Sequence, residues 1–261
     1  QMCIRDSGGI LLPLVGWRGL FWFIATINLI QVLLSLRLPE SLPPEKRTSG
    51  ALSNLFPRIG RCLRRPAYVG YMLAGALGFG ALFAYIAASP LVLQRQLGFS
   101  PTAFAFTFGA ISLLIPLSNV LNMRLVKHVP PRRLLRRALL IDALIAAIVL
   151  PLSVTGPTRI ILPFLAGLVV MAGFVGANAN ALAVEEVRDI GAGAGSGAMG
   201  FLQFVVAAAV APVAGLGSNH ALAMAAASLT CAAFALAAVV ALTTKPSLSL
   251  IHISEPTRRT P

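Results

Sequence analysis

The chain has 261 residues, of which 57% are apolar and only 11% are charged, and its mean hydropathy is +0.84. Soluble chains carry roughly 25% charged residues, so too few charges remain here to cover a surface that faces water. The composition predicts a membrane-embedded protein and excludes disordered chains, cytosolic catalytic domains and nucleic-acid modules, despite a net charge of +13. The three cysteines, Cys3, Cys62 and Cys231, are scattered and predict neither a disulfide framework nor a metal site.

The two ends of the chain are interpreted as foreign to the natural protein. Residues 1–7 resemble one reading frame of a transposase-type DNA-sequencing adapter, and residues 248–261 resemble the opposite adapter, translated in the same way. Finding one at each end favours this interpretation over a natural polar tail, and such segments are excluded from fold reasoning. The expected natural part is then a fragment, roughly Gly8 to Ser247.

Seven stretches are long and apolar enough to cross a bilayer, which takes about 20 residues of helix. They must be helices, because lipid offers no hydrogen-bond partner to the backbone and the alternation of barrel strands is absent. Before them, Gly8–Val15 is predicted to end a further helix. The fold class is therefore an all-α membrane protein with about seven transmembrane helices. In chain order the predicted spans A to G are Leu20–Leu36, Tyr68–Leu93, Phe104–Leu125, Ala138–Val154, Ile160–Val184, Met199–Leu216 and Ala221–Thr243.

Lysine and arginine are concentrated in alternate loops, fifteen on one side against Arg18, Arg95 and Arg159 on the other. The rich side is predicted to be cytoplasmic, which also places the C-terminus there. We expect these basic runs to contact anionic lipid headgroups rather than nucleic acid. Residues 39–67, basic and rich in proline, are predicted to be a cytoplasmic loop between two membrane domains, residues 8–38 and 68–247. The basic-side residues are Arg37, Lys46, Arg47, Arg58, Arg61, Arg64, Arg65, Arg124, Lys127, Arg132, Arg133, Arg136, Arg137, Arg188 and Lys245.

Polar side chains inside the spans are costly, so each indicates either a binding role or a bond between helices. Tyr71 and Tyr85 share one face of span B with two glycines, which fits a wet cavity wall or close helix packing equally well. Asn178 and Asn180 lie about 200° apart around span E, so only one can face a given cavity. The complete set of cavity candidates is Tyr71, Tyr85, Asn119, Asn178, Asn180 and Gln203.

The acidic residues near the spans predict a structural latch. Asp142, the only carboxylate inside a predicted span, lies about one turn into span D. It could carry protons or pair with Arg124 or Arg137 at the cytoplasmic rim, and we expect the pairing, because a proton carrier would usually lie deeper in the membrane. Glu185 and Glu186 end span E and are predicted to hold the basic turn between spans C and D. No metal-ligand spacing and no phosphate-binding loop occur. The predicted latch residues are Arg124, Arg132, Arg133, Asp142, Glu185 and Glu186.

Four local patterns, in this order, resemble the Bcr/CflA-type drug-efflux branch of the major facilitator superfamily. The resemblance covers nearly all of Gly16 to Gln203. Its pieces are Gly16-Trp17-Arg18 with Phe21-Trp22, then Ser89-Pro90-Leu91-Val92-Leu93-Gln94, then Leu121-Asn122-Met123-Arg124-Leu125, and finally Asn180-Ala181-Leu182-Ala183 with Gly200-Phe201-Leu202-Gln203.

The resemblance implies the sixth helix and the C-terminal half of a twelve-helix transporter, whose N-terminal half is missing. It implies that spans B, C, E and F line a central cavity while D packs outside. Asp142, in span D, is therefore not expected to line the cavity. It also implies export of drugs or small metabolites across the cytoplasmic (inner) membrane, by alternating access and driven by protons without a cofactor. The coupling residues would lie largely in the missing half, so the fragment alone is expected to be inactive. The alternative is a self-contained seven-helix receptor or intramembrane enzyme.

Overall fold

A computed structural model of the chain describes residues 2–37, 54–155, 159–215 and 217–243. Within these ranges the secondary structure is helical and no strand occurs, which confirms the all-α fold class. The predicted basic residues Lys46, Arg47 and Lys245 and the segment 248–261 lie outside the described residues. The helices are α1 (Met2–Leu36), α2 (Leu55–Leu63), α3 (Pro66–Pro90), α4 (Pro101–Ser112), α5 (Leu114–Leu125), α6 (Pro131–Val154), α7 (Ile161–Glu186), α8 (Arg188–Ala214) and α9 (His220–Thr243), with a π-helical segment, Leu91–Gln96, directly after α3.

Seven stretches of the described chain are long and apolar enough to span a membrane, as predicted. α4 and α5 together form one of them, Pro101–Leu125. Two helices begin before the apolar stretches predicted as spans D and F, which start near Ala138 and Met199: α6 begins at Pro131 and α8 at Arg188. Hydropathy marks only the apolar part of a helix, whereas α6 stays helical through its arginines and α8 has a short first part that a kink at Gly191, with a φ of +146°, separates from the rest.

Local sequence signals explain several helix boundaries. Pro66, Pro101 and Pro131 each open a helix, a position where proline's missing N–H costs nothing. The Ser100 hydroxyl caps α4 by accepting a hydrogen bond from the Ala103 N–H at 3.2 Å. Gly16 has a φ of +64°, which breaks α1 and separates its first part from the span Arg18–Leu36.

α3 is the central helix of the bundle and packs against α7, α8 and α9. Small residues permit this close approach. A Cβ atom on Gly78 would lie 2.6 Å from Val175 Cγ1 of α7, and one on Gly80 would lie 2.7 Å from Val206 Cγ1 of α8. α6 completes the bundle by packing against α7 and α9, and α5 packs against α7.

Helix α1 differs from the bundle helices in its exposure. None of its apolar span is buried, and Trp22 and Leu36 are 75% and 78% exposed. Among the described residues its main contact is with α4. A helix that buries so little of its apolar surface belongs to the membrane but not to this bundle.

Candidate functional site

The Asn178 side chain of α7 forms a hydrogen bond to a neighbouring helix and does not lie on the surface. Its side-chain amide is buried and donates to Asn122 Oδ1 of α5 at 2.7 Å and to the Phe174 carbonyl at 2.8 Å. Hydrogen bonds of this kind between membrane helices contribute about 0.6 kcal/mol on average, up to about 1.7. The geometry therefore selects the helix-packing interpretation for Asn178.

Asn180, two residues further along α7, is exposed on a different face. Its amide nitrogen donates to the Gly176 carbonyl at 2.8 Å, which leaves the side-chain oxygen accessible. Asn119 of α5 is also exposed, and Gln203 of α8 is half-buried. A Cβ atom on Gly75 of α3 would lie 3.6 Å from Gln203 Nε2, so this amide reaches toward the central helix. Of the predicted cavity residues, Asn119 and Asn180 are therefore exposed and Gln203 is half-buried.

Two exposed aromatic side chains of α8 lie near Gln203 in the sequence, but only Phe204 lies toward the same side of the helix, because Phe201 is about 200° away around it. Phe201 and Phe204 are exposed, and the Phe204 ring meets Phe79 of α3 edge to face, with centroids 5.4 Å apart. Aromatic rings beside an amide offer a ligand both apolar contact and hydrogen bonding. The position of Phe204 beside Gln203 was not part of the sequence prediction, although the two residues are adjacent in the chain.

Tyr71 and Tyr85 lie inside the bundle and do not face an open cavity. Tyr71 is 1% exposed, and the guanidinium carbon of Arg132 lies 5.8 Å from its ring centroid, which is a cation–π distance. Tyr85 is 2% exposed and stacks on Phe108 of α4 with ring centroids 5.8 Å apart. Both tyrosines therefore contact side chains of neighbouring helices in this structure.

Ion pairs join four helices at one end of the bundle. Arg132 of α6 donates to Glu186 Oε1 of α7 at 2.9 Å. Arg65, at the start of α3, binds both carboxylate oxygens of Asp189 on α8, at 2.8 and 2.5 Å, and also donates to the Glu186 carbonyl. The basic turns before α3 and before α6 therefore lie at the same end of the molecule. Sequence reasoning missed the pair of Arg65 and Asp189, although both flank predicted spans.

The remaining predicted latch residues are placed differently. Glu185 lies 3.8 Å from Arg188, its neighbour along the chain, and does not reach the turn before α6. Arg124 and Arg133 are exposed and enter none of the ion pairs between described residues. Asp142 does not pair with Arg124 or Arg137 in the described part of the chain, because it is buried within the bundle, halfway along the 24-residue α6.

An apolar groove of about 590 Å³ lies between α2, α3 and α8. It falls within the range of ligand pockets, roughly 300–1,000 Å³, but it contains no polar side chain to orient a ligand. We therefore regard the exposed amides of α5, α7 and α8 as the better candidates for ligand recognition. The groove is lined by Leu55, Phe56, Ile59, Leu63, Met72, Ala194, Gly197, Ala198, Phe201 and Leu202.

Comparison with known proteins identifies a family that the chain matches. The family model described as Major Facilitator Superfamily matches residues 7–212. A Bacillus subtilis protein described as "Uncharacterized MFS-type transporter YdgK" is 29% identical over 222 residues, which are 84% of this chain and 55% of that protein. A "Bicyclomycin resistance protein homolog" of Haemophilus influenzae is 27% identical over 52% of this chain and 35% of its own length. The "Multidrug resistance protein MdtL" of Salmonella heidelberg is 27% identical over 48% of this chain and 34% of its own length. The matches therefore span about half of the first relative and about a third of the other two.

Proposed function

Because the chain belongs to the major facilitator superfamily, whose members are multi-pass membrane transporters and not enzymes, we propose that it forms part of an exporter of drugs or small metabolites. The proposal places it in the Bcr/CflA-type branch, in the inner membrane with a cytoplasmic C-terminus. Resistance proteins among the relatives support this substrate class. Family membership also argues against the alternative of a seven-helix receptor or an intramembrane enzyme.

The proposed working unit contains a second bundle that is absent from this chain. The apolar span of α1, of which no residue is buried, supports this, since Trp22 and Leu36 would be covered by helices of that bundle or by lipid. α1 would then be the sixth helix and α3 to α9 the C-terminal half, joined by the segment before α2. The two halves would enclose the substrate and rock about it, with inward proton flow as the driving force.

The observation that supports the substrate site is the exposure of Asn180 and the half-exposed Gln203, with the exposed Phe204 next to Gln203 in α8. Amides orient a polar group of the substrate, while the ring contacts its apolar part. The site needs no cofactor. Half of its wall would come from the missing bundle, so this chain alone is expected not to transport.

Transport by the full-length protein tests the proposal. In cells that lack other exporters, we expect export of a cationic dye that stops when a protonophore collapses the proton gradient. Asn180→Leu and Gln203→Leu should each weaken the apparent affinity for the dye about 2- to 10-fold, because each removes one hydrogen bond of about 0.5–1.5 kcal/mol. Dye efflux at several dye concentrations measures this.

Asn28→Leu is the matched control, because Asn28 is also exposed and donates to its i−4 carbonyl at 2.8 Å, but on α1. It should leave export unchanged. Absence of proton-dependent export by the wild-type protein would overturn the proposed function. Wild-type affinity in both Asn180→Leu and Gln203→Leu would overturn only the assignment of the site.

A further inference from the structure

Asp142 is a carboxyl group in the apolar interior of the bundle. It is 4% exposed and lies halfway along the 24-residue helix α6. Five residues, a rise of about 7.5 Å, lead to it from Arg137, the last of the four arginines in the first two turns of α6. Ionisable side chains inside membrane-spanning helices are rare and mark functional sites.

A small cavity adjoins this carboxyl. Its volume is about 10 Å³, which is the space that one water molecule needs. The polar residues that line the cavity are Asp142, Ser228 of α9 and Tyr85 of α3. The other lining residues are apolar: Ala81 and Leu82 of α3, and Leu168, Val169 and Ala172 of α7. The cavity therefore joins α3, α6, α7 and α9 around one carboxyl group.

No positive charge faces Asp142 in this cavity. The lining residues include no lysine, arginine or histidine, and the titratable groups near the carboxyl are Tyr85 on α3 and Cys231 on α9. The ion pairs between described residues involve other side chains, at the end of the bundle. An ionised carboxylate here would be a buried charge without a partner, which costs several kcal/mol even after relaxation.

Ser228 supplies the second observation. Its hydroxyl is buried and has no hydrogen-bond partner among the described residues. Several other helical hydroxyls of the bundle donate to a carbonyl three or four residues earlier, as Ser118, Ser153 and Thr230 do. Ser228 does not, so its oxygen is left in the same cavity as the Asp142 carboxyl.

A single proton satisfies both groups. A protonated carboxyl is neutral and has one O–H donor, which the Ser228 oxygen can accept directly or through one water molecule in the cavity. A metal cation fits less well, because hard cations take six or more oxygen ligands, whereas this cavity offers one carboxyl and two hydroxyls. We propose that Asp142, Ser228 and the cavity between them form a proton-binding site, in which Asp142 is a neutral carboxylic acid at neutral pH. This proposal concerns one side chain and does not depend on the direction or substrate of transport.

Infrared spectroscopy of the chain in lipid nanodiscs tests the site. The sequence contains three aspartates, Asp6, Asp142 and Asp189, so labelling aspartate with carbon-13 at its side-chain carboxyl isolates very few groups. At about pH 7 an exposed aspartate is ionised and absorbs as a carboxylate. We expect one carbonyl band of a protonated carboxylic acid that shifts on labelling and disappears in Asp142→Asn. In Ser228→Ala the band should remain but move to higher frequency, because the acid loses a hydrogen-bond acceptor.

Asp189→Asn is the matched control, because Asp189 is exposed and paired with Arg65, and it should leave the band intact. Asn has the shape of a protonated aspartate, so Asp142→Asn should fold. If it does not, the labelled wild-type spectrum and Asp189→Asn still decide. Three results would each overturn the proposal. The labelled aspartates could absorb only as carboxylates at about pH 7, the acid band could persist in Asp142→Asn, or the acid band could disappear when sodium is added.

Discussion

Gly78→Ala should lower the free energy of unfolding of the chain by about 1–3 kcal/mol. The new Cβ atom would lie 2.6 Å from Val175 Cγ1, far closer than ordinary van der Waals contact, and 3.4 Å from Val175 Cβ. Val175 cannot turn away easily, because it is buried and its β-branched side chain has one strongly preferred rotamer in a helix. Helices α3 and α7 must therefore move apart. Unfolding of the purified chain in mixed detergent micelles, followed by circular dichroism, measures the change.

Gly200→Ala is the control for this prediction. Gly200 also lies in a transmembrane helix, α8, but no atom lies within 4 Å of the position that its Cβ would take. The substitution should be neutral or stabilising by up to about 1 kcal/mol, because alanine favours helix over glycine. Equal stability of the two variants would show that α3 and α7 are not in close contact at Gly78.

Glu186→Arg should destabilise the chain by about 1–2 kcal/mol, because it replaces an attractive contact with Arg132 by a repulsive one and brings a third cation near Arg65. The Glu186 side chain is 21% exposed and that of Arg132 is 47% exposed, so solvent screening keeps the effect well below that of a buried pair. Adding Arg132→Glu should restore part of the loss. The same unfolding experiment gives the coupling energy from the four variants.

Glu185→Arg is the neighbouring control. Glu185 is 72% exposed and lies 3.8 Å from Arg188, three residues further along the chain. Reversing the charge at Glu185 should therefore change the free energy of unfolding little. If Glu185→Arg and Glu186→Arg have the same effect, or if the charge swap restores nothing, Arg132 and Glu186 do not form the pair that joins α6 to α7.

The sequence predicted the membrane helices well, because hydropathy over about 20 residues reports directly on burial in lipid. It could not assign the polar side chains. Helical periodicity places Asn178 and Asn180 on different faces but cannot tell which face meets α5, and the structure gives that contact to Asn178. Only the positions of the neighbouring helices decide whether such an amide bonds to another helix or is open to a ligand.

Asp142 shows a second limit of sequence reasoning. Hydropathy places the start of span D at Ala138, which makes Asp142 look like a residue at the membrane rim. In the structure its side chain is 4% exposed and lies inside the bundle, so it does not pair with the arginines that the prediction gave it. The isolated polar residues Asp142 and Ser228 in apolar helices were the available signal, but pairing them requires the packing of α6 against α9.

The most direct test of the membrane architecture is to measure on which side of the membrane each turn lies. Single cysteines at Arg61, Arg133 and Ser218 can be probed with a membrane-impermeant thiol reagent in intact cells, after Cys3 is replaced by serine. Cys62 and Cys231 are buried, and burial raises the pKa of the Cys62 thiol, so both should give little background. We expect labelling of Ser218→Cys in intact cells and of Arg61→Cys and Arg133→Cys only after permeabilisation. Labelling of Arg61→Cys and Arg133→Cys from opposite sides of the membrane would contradict the architecture.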